Sequence, residues 1–314
     1  MVRSSAEGLK VLGCLLRGNP MMRRTAALFI LLAGFTLSTQ ALAEAPAQRW
    51  VSAGGALSEW ISALGGESRL VGVDTTSQHP PSLKALPSIG YQRQLSAEGI
   101  LSLRPDVLVG TEEMGPPPVL AQVRAAGVRV ELFSSAADLA AVDQNLAHLG
   151  ELLGAQQQAR ELTTRYHREL EALSTKIEQA QAHQRAPGVL LLVGHAGAKP
   201  LIAGQGTAGD WLLRQAGARN LADHQGYKNF SVEALAGLDP DVVVFSDRAL
   251  AGDQALAALL KENPGLVASR AARDKRLLSL DPTLLVGGLG PRLPATLHEL
   301  AAAFYPADKA SLSP

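Results

Sequence analysis

Gly90-Tyr91, Ser96-Ala97-Glu98 and Leu103-Arg104-Pro105-Asp106 run in that order in the first half of the chain, and the apolar segment Val107-Leu108-Val109 follows them. The second half repeats the order as Gly226-Tyr227, Ser231-Val232-Glu233, Leu238-Asp239-Pro240-Asp241 and then Val242 to Phe245. Glu and Pro are seven residues apart in both blocks. Each block reads as a loop, a capped helix, a turn and a buried strand. Serine followed by an acidic residue opens a helix, because the hydroxyl accepts from a free N–H and the acid complements the dipole. Proline then breaks the helix and aspartate suits the turn. Each block also follows a helical pattern with an early tryptophan, Trp60 in one case and Trp211 in the other. Two matching blocks predict paired lobes that share a cleft.

Outward from these blocks, strand signals at Leu70 to Val73, Val107 to Val109 and Val128 to Val130 alternate with helical patterns at Leu57 to Leu64 and Val119 to Ala126. The second half alternates in the same way. Strands are expected at Val189 to Val193, Val242 to Phe245 and Leu277 to Leu280, and helices at Gly209 to Ala216, Ser231 to Leu238 and Asp253 to Leu260. Such alternation predicts an α/β fold with parallel sheets covered by helices. Between the halves, residues 155–186 contain neither proline nor glycine. Leu162, Tyr166, Leu170, Leu173 and Ile177 mark one face of a single helix. Thirty helical residues would reach about 45 Å, enough to brace two lobes. Pro187-Gly188 ends it. The expected organisation is a leader at 1–43, a lobe at 44–154, the helix at 155–186 and a lobe at 187–314.

The leader reads as a secretory signal peptide. Met22-Arg23-Arg24 is cationic, Thr25 to Thr39 is apolar, and Ala41-Leu42-Ala43 suits a cleavage site. The apolar run is short for a span of about 20 residues. Cleavage would remove Arg3, Lys10, Arg17, Arg23 and Arg24 against Glu7, from a chain with 29 basic and 29 acidic side chains, and leave a net charge of −4. The lone Cys14 would leave too. The exported protein then has no disulfide and no thiolate ligand for zinc or an iron–sulfur cluster. Without a basic excess, nucleic-acid binding is not expected. G-x-S-x-G, H-E-x-x-H and P-loop motifs are absent, so an enzyme is not expected either.

These features together resemble the helical-backbone substrate-binding proteins of ABC importers, which serve haem, siderophores, cobalamin and some metals. The resemblance covers nearly the whole exported chain. Within that family, Ile89-Gly90-Tyr91-Gln92-Arg93 followed by Leu95 to Leu101 is similar to the periplasmic haem-binding branch. Gly194-His195-Ala196-Gly197 and Gly226-Tyr227-Lys228 resemble its second-lobe loops. The resemblance implies two Rossmann-like lobes joined by a long helix. It implies ferric haem as cargo, Tyr91 as axial iron ligand, and an ABC importer permease as partner. It also implies a Gram-negative periplasmic location, an outer-membrane haem receptor system upstream, and a monomer. An iron–siderophore or cobalamin carrier is the alternative within the same family.

The chemistry of the residues agrees with that implication. Phenolate is a hard anionic ligand suited to ferric haem. A free phenol titrates near 10, so ionising one at pH 7 costs about 4 kcal/mol. Coordination to ferric iron offsets most of this, and a nearby cation such as Arg93 helps. Arg93 also has the fork that pairs with a haem propionate. His195, at the carboxyl end of a strand, is a candidate to ligate a second haem, touch the first or hydrogen-bond Tyr91. By internal repeat, Tyr227 is expected to stack on the porphyrin and Lys228 to meet a propionate. Arg292 is placed at the cleft rim. In the family one acid on each lobe docks on the permease, which points to Glu98 and Glu233. His148, His167 and His183 read as packed or solvated, and His79 has no assigned role.

Overall fold

A computed structural model describes residues 48–195, 198–229, 237–247 and 252–313. The expected leader with Cys14, and Glu233 with most of its expected helix, lie outside the described residues. The first lobe runs β1 (Trp50–Ala53), α1 (Gly55–Ala63), β2 (Leu70–Val73), α2 (Ala97–Ser102), β3 (Val107–Thr111), α3 (Pro117–Ala125) and β4 (Arg129–Phe133). Its sheet has the order β2-β1-β3-β4, with every pair parallel. Two helices in contact with each other follow, α4 (Leu139–Leu153) and α5 (Gln156–Gln181). Asp138 opens α4 by accepting from Ala141 N–H at 2.7 Å, and Gly154 closes it in the left-handed region.

The second lobe contains β5 (Gly188–His195), β6 (Ala198–Ala203), α6 (Ala208–Gln215), β7 (Arg219–Asn220), β8 (Tyr227–Asn229), β9 (Val242–Asp247), α7 (Gly252–Glu262), β10 (Leu277–Ser279) and α8 (Leu293–Phe304). Its sheet has the order β10-β9-β5-β6-β8. Here the expectation of purely parallel sheets is corrected. β6 runs antiparallel to β5, and β8 antiparallel to β6. The reason is connection length. Only Ala196-Gly197 separates β5 from β6, too little chain for the crossover that parallel neighbours require.

The two turns of the sequence repeat perform one task. Asp106 accepts from Arg49 N–H at 2.7 Å, and Asp241 accepts from Gly188 N–H at 2.7 Å. Each aspartate therefore holds the chain at the entry to the neighbouring parallel strand. Arg104 and Asp239 precede the prolines with φ of 46° and 36°. Asp241 also pairs with Arg270 at 2.6 Å and Arg185 at 3.2 Å. Asp241→Ala should therefore lower stability by about 1–2 kcal/mol, since it leaves the Gly188 N–H without its acceptor and takes one of two carboxylate partners from Arg270. Urea unfolding would read this as a lower midpoint at unchanged slope.

α5 buries Ala159, Tyr166, Leu170, Leu173, Ile177 and Ala180 on one face. They join a core shared with Leu57, Trp60 and Ile61 of α1 and with Leu293, Leu297 and Leu300 of α8. One apolar cluster thus reaches both lobes through α5. The Trp60 and Tyr166 rings meet edge to face, 5.5 Å apart. The helix stops at Gln181, short of the expected residue 186. Asp308 receives the side chains of His183, at 2.9 Å, and Gln184, which tie down the chain just past that end. The other helical histidines are paired as well. His167 lies 2.7 Å from Asp143, and His148 stacks on Phe133 and reaches Glu131 at 3.3 Å.

Candidate functional site

The site begins at the carboxyl end of β2. Buried Asp74 accepts from Gly54 N–H at 3.1 Å, Thr76 N–H at 3.1 Å and the Ser77 hydroxyl at 2.8 Å. Thr76 Oγ1 accepts from Gly55 N–H at 2.9 Å. The start of α1 and the loop after β2 are therefore one unit. Glycine is required at residue 55, where an added Cβ would lie 2.5 Å from the Thr76 carbonyl oxygen. Thr75 N–H then bonds to Gly90 O at 2.9 Å and carries the loop to Tyr91.

Tyr91 is half-buried, Gln92 fully buried and Arg93 exposed. Gly115 N–H donates to Gln92 O, and Leu95 N–H to Gly115 O, both at 2.9 Å. These two bonds stitch the Tyr91 loop to the loop after β3. That second loop brings Glu113 to Arg93, with Nη2 and Oε2 2.7 Å apart. The pairing raises the Arg93 pKa, chiefly through the hydrogen bond to Glu113 and against desolvation, so the guanidinium stays charged. The phenols of Tyr91 and Tyr227 both lie within electrostatic reach of it. Arg93 and Glu113 of the first lobe and Tyr227 of the second are thus within electrostatic range of one another.

Tyr227 stands on β8 with 39% of its surface exposed. Burial of its oxygen pushes the phenol pKa up, and the Thr207 hydroxyl and Gly209 N–H at the head of α6 partly oppose the shift. The oxygen therefore lies within reach of the head of α6, while more than a third of the residue stays exposed. Lys228 is exposed. It is adjacent to Tyr227 on a strand, so the two side chains project from opposite faces. His195 ends β5, paired with Ala198, beside the end of β9. Its side chain lies outside the described residues. Glu98 is exposed in the first turn of α2, whose cap is Ser96 Oγ accepting from Gly99 N–H at 3.0 Å.

Arg292 has protein partners on every nitrogen of its guanidinium. Nε and Nη2 donate to the two oxygens of Glu59 at 2.9 and 2.8 Å, Nη1 to Asp281 at 2.8 Å, and Nη2 also to Thr283 at 2.6 Å. His79 lies 2.9 Å from Asp281. Glu59 and His79 belong to the first lobe, and Arg292 and Asp281 to the second, so the four groups clasp the lobes together. Trp60 Nε1 donates to Leu289 O at 2.9 Å and Tyr166 Oη to Gly290 O at 3.3 Å beside this clasp. Gly288, with φ of 89°, passes so close to the first lobe that an added Cβ would lie 3.3 Å from Ser134 O.

Between the loops after β2 and β10 lies a cavity of about 630 Å³, lined by Thr75, Thr76, Lys84, Asp281, Thr283 and Val286 among others. Its volume suits a small-molecule ligand. Sequence reading missed Lys84 and Glu113. Neither stands in a motif, and only the folded loops bring them to the site. Among the described residues, no group of three or more His, Cys, Asp or Glu side chains is placed to hold a bare metal ion. None of the described helices is long and apolar enough to cross a membrane.

A family model described as periplasmic binding protein matches residues 51–284. The chain belongs to the periplasmic binding protein family. This family member is 65% identical to a periplasmic heme binding protein from Pseudomonas aeruginosa, with a TM-score of 0.82 over 83% of this chain and 93% of that one. The heme-binding protein BhuT in complex with two hemes is 39% identical, with a TM-score of 0.73 over 83% of this chain and 99% of that one. A vitamin B12-binding protein of Yersinia pestis is 26% identical over 162 residues, 52% of this chain and 55% of that protein.

Proposed function

We propose that this protein captures ferric haem in the periplasm and delivers it to the permease of an ABC importer, without catalytic turnover. The 65% identity to the Pseudomonas aeruginosa heme-binding protein, over nearly all of that chain, carries this reading. Haem enters between the lobes, and the Tyr91 oxygen binds the iron. The partly exposed Tyr227 covers part of a porphyrin face. Lys84 and the nearby threonine hydroxyls are the polar groups offered to a propionate edge, and Lys228 offers a cation on the other face of β8. His195 is the second-lobe candidate for contact with haem. The protein acts as a monomer and receives haem downstream of an outer-membrane receptor system.

Delivery follows from the frame. One core reaches both lobes through α5, and the Arg292 clasp joins them at a second place. Lobe motion is therefore modest, unlike closure about flexible hinge strands. The permease must displace the iron bond or pry the lobes apart. Exposed Glu98 is the docking acid of the first lobe, and Glu233 is its counterpart by sequence. Rim charges act mainly on encounter rate. Glu98→Lys should slow haem transfer to permease vesicles about tenfold at low salt. Haem affinity should stay unchanged, and equal loss of affinity would remove Glu98 from docking.

Absorbance titrations of ferric haem, cobalamin and a ferric siderophore into the purified protein test the reading. Saturation by haem alone is the expected result. Saturation by cobalamin or siderophore, with none by haem, would transfer the protein to another ligand class.

A further inference from the structure

Gly54 follows β1 in the first lobe, and Gly287 lies in the loop after β10 in the second. Their backbones pass each other at the lobe boundary. A Cβ added at Gly54 would lie 3.1 Å from the side-chain oxygen of Gln92. A Cβ added at Gly287 would stand 3.8 Å from Gly54 Cα and 3.9 Å from that same Gln92 oxygen. These are ordinary contact distances, so the spot has room for one further heavy atom. Gly288 carries the same loop over the end of β4, where its added Cβ would lie 3.3 Å from Ser134 O and 3.4 Å from Ser135 Cα. Thr111 ends β3 between these two points. Ala53 of β1 faces Gly110 of β3, which sets Gly54 beside Thr111, and Thr111 itself faces Phe133 of β4. The strap at residues 287–288 therefore crosses the carboxyl ends of β1, β3 and β4, the end at which such sheets bind ligands.

Beneath the strap, Gln92 is fully buried and Thr111 is 1% exposed. Both polar atoms of the Gln92 amide, and the Thr111 hydroxyl, have no hydrogen-bond partner in the protein. Buried polar groups are costly to leave unpaired, and in folded proteins nearly all are satisfied. We propose that one internal water is bound here, bridging the Gln92 amide and the Thr111 hydroxyl under the second-lobe strap. The amide brings a donor and an acceptor and the hydroxyl brings both, which meets the two to four or so partners that a buried water takes. A neutral amide and a hydroxyl suit a neutral polar molecule rather than an ion, and the space suits water. Gln92 is next to Tyr91 in the chain, so this water ties the Tyr91 loop to the opposite lobe. A wet joint also suits delivery. As the lobes part, bulk water takes over the same hydrogen bonds and little apolar surface is exposed. The role in delivery rests on the haem reading, whereas the site itself does not.

A high-resolution diffraction structure of the ligand-free protein tests the site, together with thermal melts of Gln92→Met, Thr111→Val and the double variant. The map should show a water within about 3 Å of the Gln92 amide and of the Thr111 oxygen. Gln92→Met keeps the length of the side chain and removes its polar end. It should lower the melting temperature by about 2–4 °C, because the water loses its anchor and Thr111 its partner. Thr111→Val should do likewise. The double variant should lose less than the sum, since both groups serve one water. A map with the amide bonded directly to Thr111 or to the Gly287 backbone would overturn the proposal. A higher melting temperature in Gln92→Met would also overturn it, because that is the mark of a stranded amide removed. Additive losses in the double variant would contradict the bridge. If a variant does not fold, the wild-type map decides alone. Failure of the haem reading shows separately, in the titrations above.

Discussion

Tyr91→Ala should lower the affinity for ferric haem by about a hundredfold or more. Even partners that only support a metal ligand are worth about 10- to 100-fold, so removing the ligand costs at least the upper end of that range. The half-buried loop position of Tyr91 makes the substitution tolerable to the fold, because the turn is held by backbone bonds, Gln94 N–H to Tyr91 O and Gly115 N–H to Gln92 O. Melting temperature should barely move. The Soret band of any residual complex should shift, since the iron would take water or another side chain. Tyr227→Ala provides the contrast. A ring that only covers a porphyrin face contributes about 1 kcal/mol, near a fivefold change, and leaves the iron spectrum intact. Equal losses in the two variants would mean that the roles are wrongly divided. Titration by absorbance reads both the affinity and the band.

Arg292→Met should be the most destabilising of the substitutions considered. Glu59 is only 5% exposed, and its two oxygens both accept from Arg292. Breaking a buried ion pair costs about 3–5 kcal/mol because a charge is left stranded. Arg292 keeps some contact with water, which reduces the cost to about 2–3 kcal/mol. For a chain of this size the melting temperature should fall by about 5–10 °C. Adding Glu59→Gln should recover much of the loss, since the stranded charge is gone. The clasp also has a pH signature. Burial works to raise the Asp281 pKa, but the donors of Thr283 and the Arg292 guanidinium win and hold it below the usual carboxylate range. A depressed carboxylate stabilises the fold fully above its unfolded pKa and loses that contribution as pH falls through the folded one. Wild type should therefore lose clasp stability below about pH 4. In Arg292→Met that acid-dependent loss should shrink. An unchanged melting temperature in Arg292→Met would mean that the clasp does not hold the lobes.

Much of the frame was legible because it is written locally. The matched Pro-Asp turns appear as strand-entry caps at Asp106 and Asp241, and the apolar stripe from Tyr166 to Ile177 is the buried face of α5. The antiparallel strands β6 and β8 were less legible, since Lys199 to Ala203 gives a weak strand signal and the repeat with the first lobe suggested otherwise. Side-chain partners were least legible. Arg93 and Glu113 are brought together by loops from different strands, and Arg292 finds Glu59 across most of the sequence. An arginine near a cleft looks the same in sequence whether it awaits a propionate or already has three partners. The alternation on β8 that separates Tyr227 from Lys228 likewise required knowing that these residues form a strand.

A diffraction structure of the mature protein loaded with ferric haem tests the central claim most directly. The account predicts haem between the lobes, iron bonded to the Tyr91 oxygen, the Tyr227 ring against the porphyrin and the Arg292 clasp intact. Haem outside the cleft, iron bonded elsewhere with Tyr91 turned away, or a clasp opened by a large lobe rotation would contradict it.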